Sequence, residues 1–133
     1  MAITSAICNS FKQEILQGKH DFTNGTGNTF KIALIKAQSA QTGTYGASTT
    51  NYTDVTGNSD ELASGSGYTT GGNTLTQVTP TLDSGTAVCD FANTSWSSAT
   101  FTTRGCIIYN TSDSNSAVMI LDSGEDYSVY NGR

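Results

Sequence analysis

The sequence predicts a mainly β protein: a sandwich or barrel-like antiparallel domain of about six to eight strands with one N-terminal α-helix. Three observations lead to this prediction. Short runs of alternating apolar and polar residues recur from residue 30 onward, clusters of Gly, Ser and Asn separate these runs, and only the N-terminal segment carries apolar side chains at helical spacing. The length of 133 residues fits a single domain, 1–133.

The N-terminal segment is predicted to form a helix over about residues 4–17. Gly18 follows as a natural C-terminal stop. A helix this short is marginal in water by itself, so we expect its apolar face to pack on the sheet or on a neighbouring subunit. That face is formed by residues four positions apart, which are Ile3, Ile7, Phe11 and Ile15.

Turn and bulge signals divide the rest of the chain into strands. Asp83-Ser84-Gly85 reads as a hairpin turn between two alternating runs. Pro80 indicates an edge strand or a bulge, because proline cannot donate a ladder hydrogen bond. Gly105 indicates a bulge within the strand pair that follows.

The segment from about 38 to 73 has no apolar periodicity and is rich in Gly, Ser, Thr and Asn. A structureless stretch of this length is uncommon inside a compact domain, and it is usually functional or an interface arm. We therefore expect this long irregular segment to form short strands in part and to contact neighbouring subunits.

Charge and hydropathy exclude two classes of partner. The formal net charge is −5, and the six Lys and Arg residues are scattered along the chain. Without a basic stripe to neutralise phosphates, nucleic-acid binding is not expected. No apolar run approaches the length that spans a bilayer, and the N-terminus has no signal-peptide pattern. We expect a protein made in the cytosol, with no membrane partner.

Candidate catalytic and metal-binding residues are few. His20 is the sole histidine, and its position just after the predicted helix suggests interaction with the helix-terminal carbonyls. The three cysteines, Cys8, Cys89 and Cys106, have no metal-binding spacing and are expected to be buried and reduced. We predict no catalytic residue, no metal and no cofactor. The acidic pairs and their neighbour are expected to be solvated turn carboxylates, with calcium binding as the alternative: Asp60, Glu61, Asp122, Glu125 and Asp126.

Aromatic residues in turn-rich segments are candidates for subunit contacts, because aromatics are enriched at interfaces. Filling a small core is the alternative use, and the sequence leaves both open. Together with the apolar helix residues, the candidate interface set is Ile7, Phe11, Ile15, Tyr45, Tyr52, Tyr68 and Trp96.

Several segments, in order along nearly the whole chain, resemble a family of small structural proteins of tailed bacteriophages, including cyanophages. The match rests on "SFKQEIL", "FKIAL", "GYTTGGNTL", "DF" followed by "TSWSSATFTTRG", and the "YN" turn. The chain departs from the family pattern by reading "FKIALIKA" in place of "FKIALY". Relatives also continue past the terminal "NG" with another apolar strand. We therefore expect one edge strand to be absent or to be supplied by a neighbour.

The resemblance implies a non-enzymatic virion protein that is assembled in the cytoplasm of a bacterial host. We expect a capsid decoration or cement protein that stabilises the head. Its expected partners are other copies of itself, with a trimer as one arrangement, and the major capsid protein or other virion proteins. The first alternative is a tail or fibre component that binds the host surface. A small carbohydrate-active enzyme is the remaining alternative.

Overall fold

The computed structural model describes residues 2–132. It confirms a mainly β chain, with 47% of these residues in strands and 14% in helices, and with an N-terminal helix. The sheets are open, and no closed barrel is formed within the described residues. In chain order the elements are β1 Ala2–Ile3, β2 Ala6–Ile7, α1 Asn9–Leu16, β3 Phe30–Lys36, β4 Thr44–Tyr45, α2 Thr53–Thr56, β5 Asn73–Thr74, β6 Gln77–Asp83, β7 Thr86–Phe91, β8 Ala99–Asn110 and β9 Ser116–Gly132; short 3-10 turns lie at Gln38–Ala40 and Thr111–Asp113.

A five-stranded antiparallel sheet organises the domain. Its strands lie in the order β2-β9-β8-β3-β5. The long strands β8 and β9 pair along most of their length, so that the start of β8 and the end of β9 extend beyond the rest of the sheet as a two-stranded ribbon. A parallel pair, β1 with β4, and a separate antiparallel pair, β6 with β7, complete the fold.

Both faces of the central sheet are covered. Alternate residues of a strand point to opposite faces, and β3 and β8 carry apolar residues at even and odd positions, so each face presents apolar side chains that other elements bury. One face packs against the N-terminal strands and the 45–55 region. Its buried residues are Ile3, Cys8, Ala33, Ile35, Tyr45, Val55, Ile107, Tyr109, Ala117 and Ile120. The other face holds two clusters, one of Phe22, Phe30, Leu75, Ile108 and Val118 and one of Leu34, Leu62, Tyr68 and Cys106.

The predicted helix over residues 4–17 is wrong at its N-terminal end. The chain is extended through residues 2–7, and α1 begins only at Asn9. Backbone pairing is the reason: the Thr4 amide donates to the Tyr45 carbonyl at 2.9 Å, and the Cys8 amide donates to the Val118 carbonyl at 3.0 Å. Sheet hydrogen bonds thus outweigh the four-residue periodicity in a stretch that contains β-branched residues.

The C-terminal end of α1 confirms the predicted stop at Gly18. Gly18 adopts a left-handed conformation with φ of 73°. Its amide donates to the Ile15 carbonyl at 3.2 Å, and the Lys19 amide donates to the Glu14 carbonyl at 3.1 Å. These two bonds form a Schellman motif, which uses the last free carbonyls of the helix.

The predicted turn and bulges are confirmed. Ser84 and Gly85 connect β6 to β7 with φ values of 49° and 86°, as a type I′ hairpin turn requires. The β6–β7 register shifts between Val78 and Thr81, on either side of Pro80. The β8–β9 register shifts at Gly105, where an added Cβ would lie 2.1 Å from the Leu121 carbonyl oxygen.

The segment 38–73 is irregular, as predicted, but it is anchored to the domain. It contains β4, α2 and the first residue of β5, and isolated bridges join Glu61 to Ile35 and Asn51 to Ser116. Buried residues along it, such as Val55, show that much of its apolar surface serves the domain itself.

Candidate functional site

The β6–β7 hairpin projects from the domain. Residues 78–90 are all exposed, so both faces of this two-stranded ribbon contact solvent over that length. Several of these exposed side chains are apolar, with Leu82 at 75%, Val78 at 46% and Val88 at 40% exposure. A two-stranded ribbon is only marginally stable by itself in water. The hairpin is therefore an apolar surface that would gain stability from a partner.

An apolar groove of about 610 Å³ separates the hairpin from α1. A smaller recess of about 290 Å³ adjoins it, sharing Phe11, Phe22 and Cys89 with the groove and adding Ile7 and Met119. Together they form one apolar surface along the hairpin. The remaining residues that matter for this surface are Ile15, Pro80, Ala87, Val88 and Phe91.

Three candidates of the predicted interface set lie on this apolar surface: Phe11 and Ile15 of α1 line the groove, and Ile7 of β2 lines the recess. Ile7 is 48% exposed and Ile15 is 39% exposed. Phe11 is partly buried, with its ring centroid 5.9 Å from that of Phe22 and 4.8 Å from that of His20. All three side chains are thus positioned where a partner could contact them, and their role as interface residues stays a prediction.

The four aromatic candidates lie on the interior side instead. Tyr45 and Tyr68 are 1% and 3% exposed, so in this chain they fill the core and offer almost no surface to a partner. Tyr52 is partly buried and stacks on Tyr109, with centroids 4.2 Å apart and an interplanar angle of 5°. Trp96 is partly buried beside Tyr68, with ring centroids 6.2 Å apart. Tyr45 and Tyr68 thus take the core-filling role that the sequence left open, and a role of the four aromatics in subunit contacts stays a prediction.

Glu61 joins three parts of the irregular segment. Its Oε1 accepts the Tyr52 hydroxyl at 2.5 Å, and its Oε2 accepts the Tyr68 hydroxyl and the Gly71 amide, each at 2.6 Å. The Tyr109 hydroxyl donates to the Gly71 carbonyl at 2.6 Å. Burial and the Glu61 charge raise the pKa of Tyr109 to about 12, which keeps that hydroxyl protonated as a donor.

Asp60 is a second anchor, and unlike the partly buried Glu61 it is fully buried. This corrects the prediction of Asp60 as a solvated turn carboxylate. Its side chain is 0% exposed and accepts hydrogen bonds from the Thr42 amide at 2.9 Å, the Gly43 amide at 2.8 Å and the Tyr45 hydroxyl. Although burial favours the neutral acid, these donors hold the pKa of Asp60 below its usual range. The burial was invisible in the sequence because the donors are distant along the chain.

His20 does not interact with the helix carbonyls as predicted. Its Nε2 lies 2.9 Å from Glu14 Oε1, and its Nδ1 lies 3.0 Å from Asn110 Nδ2. Asn110 Oδ1 accepts the Ser112 amide at 2.9 Å, and its Nδ2 also donates to Asn28 Oδ1 at 3.0 Å. These bonds fix the amide orientation, so His20 Nδ1 is the acceptor and Nε2–H donates to Glu14.

Glu14, His20 and Asp113 are the one group in the described residues whose ligand atoms could meet at a metal ion, since these atoms lie within 4.8 Å of one another. The hydrogen bonds oppose this use. The Nε2 atom of His20 carries the proton that a metal would replace, and Asp113 Oδ2 accepts the Ser116 hydroxyl at 2.8 Å. As arranged, the group joins α1 to the turn before β9.

The three cysteines occupy two different environments. Cys8 and Cys106 are buried, as predicted, but Cys89 is exposed on β7, and all three are free thiols. Burial raises the pKa of Cys8 to about 11, with Asp54 and Glu14 adding to the shift, and burial alone raises that of Cys106 to about 12. The prediction that Cys89 is buried is wrong. Strand alternation indicates which side chains share a face of the strand, but it does not indicate whether another part of the chain covers that face.

The C-terminal acidic residues pair with Arg104. Arg104 Nε lies 2.7 Å from Asp122 Oδ1, and Nη1 lies 3.8 Å from Asp126 Oδ1. The Arg104 hydrogen bond and the Gly124 amide hold the pKa of Asp122 below its usual range. Glu125 and Asp126 are exposed, as predicted, but they lie within strand β9 and not in a turn.

Sequence reasoning missed most of the exposed apolar residues. Alternation in β6 and β7 identified strands, but nothing local indicated that the ribbon leaves the domain. The large exposed residues outside the predicted set are Leu16, Val78, Leu82, Val88, Leu121, Tyr127 and Tyr130.

Comparisons with known proteins identify no relative: no family model, no curated protein and no solved structure matches this chain. Among residues 2–132, no helix has the length and apolar character needed to cross a bilayer. The geometry of the site therefore carries the functional argument, and its central feature is the β6–β7 hairpin with its apolar groove.

Proposed function

We propose that this chain is a non-enzymatic structural subunit of a tailed-phage virion, a capsid decoration or cement protein that binds the head surface. In this proposal the virion, assembled in the cytoplasm of the bacterial host, is where the protein resides. Its partners are copies of itself and the major capsid protein. The projecting β6–β7 hairpin beside its apolar groove is the observation that carries the proposal.

The hairpin supports an assembly role because its exposed apolar side chains and strand edges are unfavourable in a protein that acts alone. Exposed strand edges and clustered apolar side chains promote association unless they are protected. Leu82 is 75% exposed near the hairpin tip, and the groove next to the hairpin is lined mainly by apolar residues. Burying one such leucine is worth about 1.5–3 kcal/mol, so a partner that covered the surface would gain substantial affinity.

The ionisable groups support a structural role in a second way. Asp60 and Glu61 are bonded to backbone amides and tyrosine hydroxyls, and His20 is held between Glu14 and Asn110. Each of these groups joins distant chain segments. Their hydrogen-bonding capacity is directed at the fold, which agrees with a protein whose task is to hold a shape.

Surface charge supports a position on the outer side of a capsid. The chain has 11 acidic and 6 basic residues, and an acidic surface is repelled by packaged DNA. The resemblance of "SFKQEIL", "FKIAL" and "TSWSSATFTTRG" to segments of phage structural proteins points to the same class.

The copy number of the chain in purified particles tests the proposal. Quantitative mass spectrometry of virions from a phage that encodes this chain should give hundreds of copies, in fixed ratio to the major capsid protein. Immunogold labelling should then decorate heads. A few to tens of copies, with label on the tail, would replace the decoration role by a tail or fibre role. Absence from particles, with hydrolysis of a polysaccharide by the purified protein, would contradict a structural role altogether.

A further inference from the structure

Strand β7 has a free edge. On its other side it pairs with β6 through the Asp83–Thr86 and Thr81–Val88 registers. In a two-residue hairpin the pair flanking the turn exchanges its backbone hydrogen bonds, and bonding then alternates along the strand. The backbone groups of Ala87 and Cys89 therefore point away from β6. Within residues 2–132 no hydrogen bond joins either of these residues to another strand on that side.

The outer edge of β6 is unsuitable for a partner strand. Pro80 lies in the middle of β6 and has no amide hydrogen to donate. Asn24 also covers the base of this edge, where its amide donates to Thr79 Oγ1 at 3.0 Å and its Nδ2 donates to the Gln77 carbonyl at 2.6 Å. Of the two edges of the ribbon, only that of β7 is open.

The edge of β9 is long but protected. Beyond β2, whose register with β9 covers Met119 and Ile120, the strand carries Glu125 and Asp126. Its backbone is interrupted by register shifts and by positive φ at Gly124 and Asn131. Charges and bulges are the features that keep exposed edges from pairing. Strand β7 is regular along its length and has one charged residue, Asp90.

We propose that β7 pairs antiparallel with β7 of a second copy of this chain, about a two-fold axis at Cys89, so that two hairpins form one four-stranded sheet. This inference deepens the proposed function and rests on it, because it names the partner as another copy and gives the contact. A two-fold contact yields a dimer, unlike the trimer considered from the sequence.

The alternation of backbone groups limits the register, and an axis at Cys89 is the choice that pairs all three outward-facing residues of β7, Ala87, Cys89 and Phe91, with one another. Outward groups bond only to outward groups, so the two-fold axis must pass through a residue and not between two residues. With the axis at Cys89, Cys89 faces Cys89 of the second copy, and Ala87 faces Phe91. The Phe91 amide, which contacts its neighbour Asp90 Oδ1 at 2.7 Å in the single chain, then donates to the Ala87 carbonyl of the second copy.

The side chains are self-complementary in this register. Ala87, Cys89 and Phe91 share one face of β7, since alternate residues of a strand point to the same side. That face adjoins the groove and its recess, so pairing extends the groove's apolar surface across both copies. Val88 borders the groove through its place in the strand, but its side chain points to the opposite face. There it lies across from Asp90 of the second copy, and the two Asp90 side chains never face each other. No like charges oppose the contact.

Two substitutions of the exposed Val88 form a matched test. Val88→Asp places a like charge opposite Asp90 twice in each dimer, and Val88→Lys places an opposite charge there. In light scattering coupled to size-exclusion chromatography, the wild type should have twice the 13.9 kDa chain mass. We expect Val88→Asp to raise the dimer dissociation constant about tenfold and Val88→Lys to lower or preserve it. Circular dichroism confirms that both variants are folded.

The thiol of Cys89 reports the contact independently, because Cys8 and Cys106 are buried. A short bismaleimide should link the wild type into covalent dimers, and Cys89→Ser should remove the product. A wild type that is monomeric at high micromolar concentration, or a dimer that Val88→Asp leaves unchanged, would overturn the β7 pairing. Neither result decides the virion role, which the copy number tests separately, since a cement protein can bind a capsid as a monomer.

Discussion

Tyr45 donates its hydroxyl hydrogen to Oδ2 of Asp60, 15 positions further along the chain, and both side chains are buried. The same carboxylate accepts the amides of Thr42 and Gly43. One carboxylate thus closes a loop that lacks regular secondary structure over much of its length. Because β4 carries Tyr45 and pairs with β1, the bond also supports the N-terminal strand.

Asp60→Asn should destabilise the domain by about 2–3 kcal/mol, because the NH2 group of asparagine replaces one carboxylate oxygen and cannot accept the hydrogen bonds now made to that atom. Urea unfolding at pH 7 measures this change. Asp83→Asn, at an exposed position on β6, is the matched control and should change the free energy of unfolding by less than about 0.5 kcal/mol. Equal effects of the two variants would contradict the anchoring role.

The stabilisation by Asp60 should depend on pH in a defined direction. Its pKa is lowered in the folded chain, so the unfolded chain binds the proton more readily. The contribution is present in full above the unfolded pKa, which is about 3.9, and is lost as the pH falls through the lower folded value. The stability difference between wild type and Asp60→Asn should therefore shrink at acid pH. A difference that grew on acidification would contradict this assignment.

Phe11→Ala should destabilise the domain by about 2 kcal/mol, which is less than the roughly 3–5 kcal/mol for a fully buried phenylalanine. Phe11 is partly buried, but it packs against two of the three apolar clusters, one on each face of the central sheet. Ile15→Ala is the control on the same helix, and with Ile15 at 39% exposure it should cost less than about 1 kcal/mol. Thermal unfolding of the two variants tests the difference, and a larger loss for Ile15→Ala would show that α1 packs by another face.

One thiol should react with a maleimide in the folded chain. Cys89 is exposed, and Cys8 and Cys106 are buried. Burial, with a smaller effect of Asp90, raises the pKa of Cys89, so its labelling rate should increase as the pH rises past neutral. Mass spectrometry after labelling should find one adduct in the native protein, three after unfolding, and none in native Cys89→Ser. Two or three adducts in the native wild type would contradict the packing of the central sheet.

Local chemistry predicted the elements whose cause lies within a few residues. Gly18 ends α1, Ser84 and Gly85 form a type I′ turn, and Gly105 lies at a bulge. Each of these needs only backbone geometry that the residue type favours. The alternation at residues 30–36 likewise predicted β3, although both of its faces proved to be covered.

Features that depend on distant residues could not be predicted in the same way. The four-residue spacing of Ile3 and Ile7 matches a helix, and only pairing with β4 and β9 makes that stretch extended. Asp60 and Glu61 look like ordinary turn carboxylates until Tyr45, Tyr52 and Tyr68 reach them. The candidate site follows the same pattern, since its helix side was predicted and its hairpin side was not.

The central claim is that the exposed part of the β6–β7 hairpin, residues 78–90, serves assembly and not the fold, and the loading of Leu82→Ser into particles tests it most directly. Thr81→Ser, on the neighbouring residue, is the control. We predict that Leu82→Ser unfolds within about 0.5 kcal/mol of the wild type, because Leu82 is 75% exposed. It should bind particles roughly tenfold more weakly, so that fewer copies are incorporated, whereas Thr81→Ser should load normally. Wild-type loading of Leu82→Ser would contradict the claim.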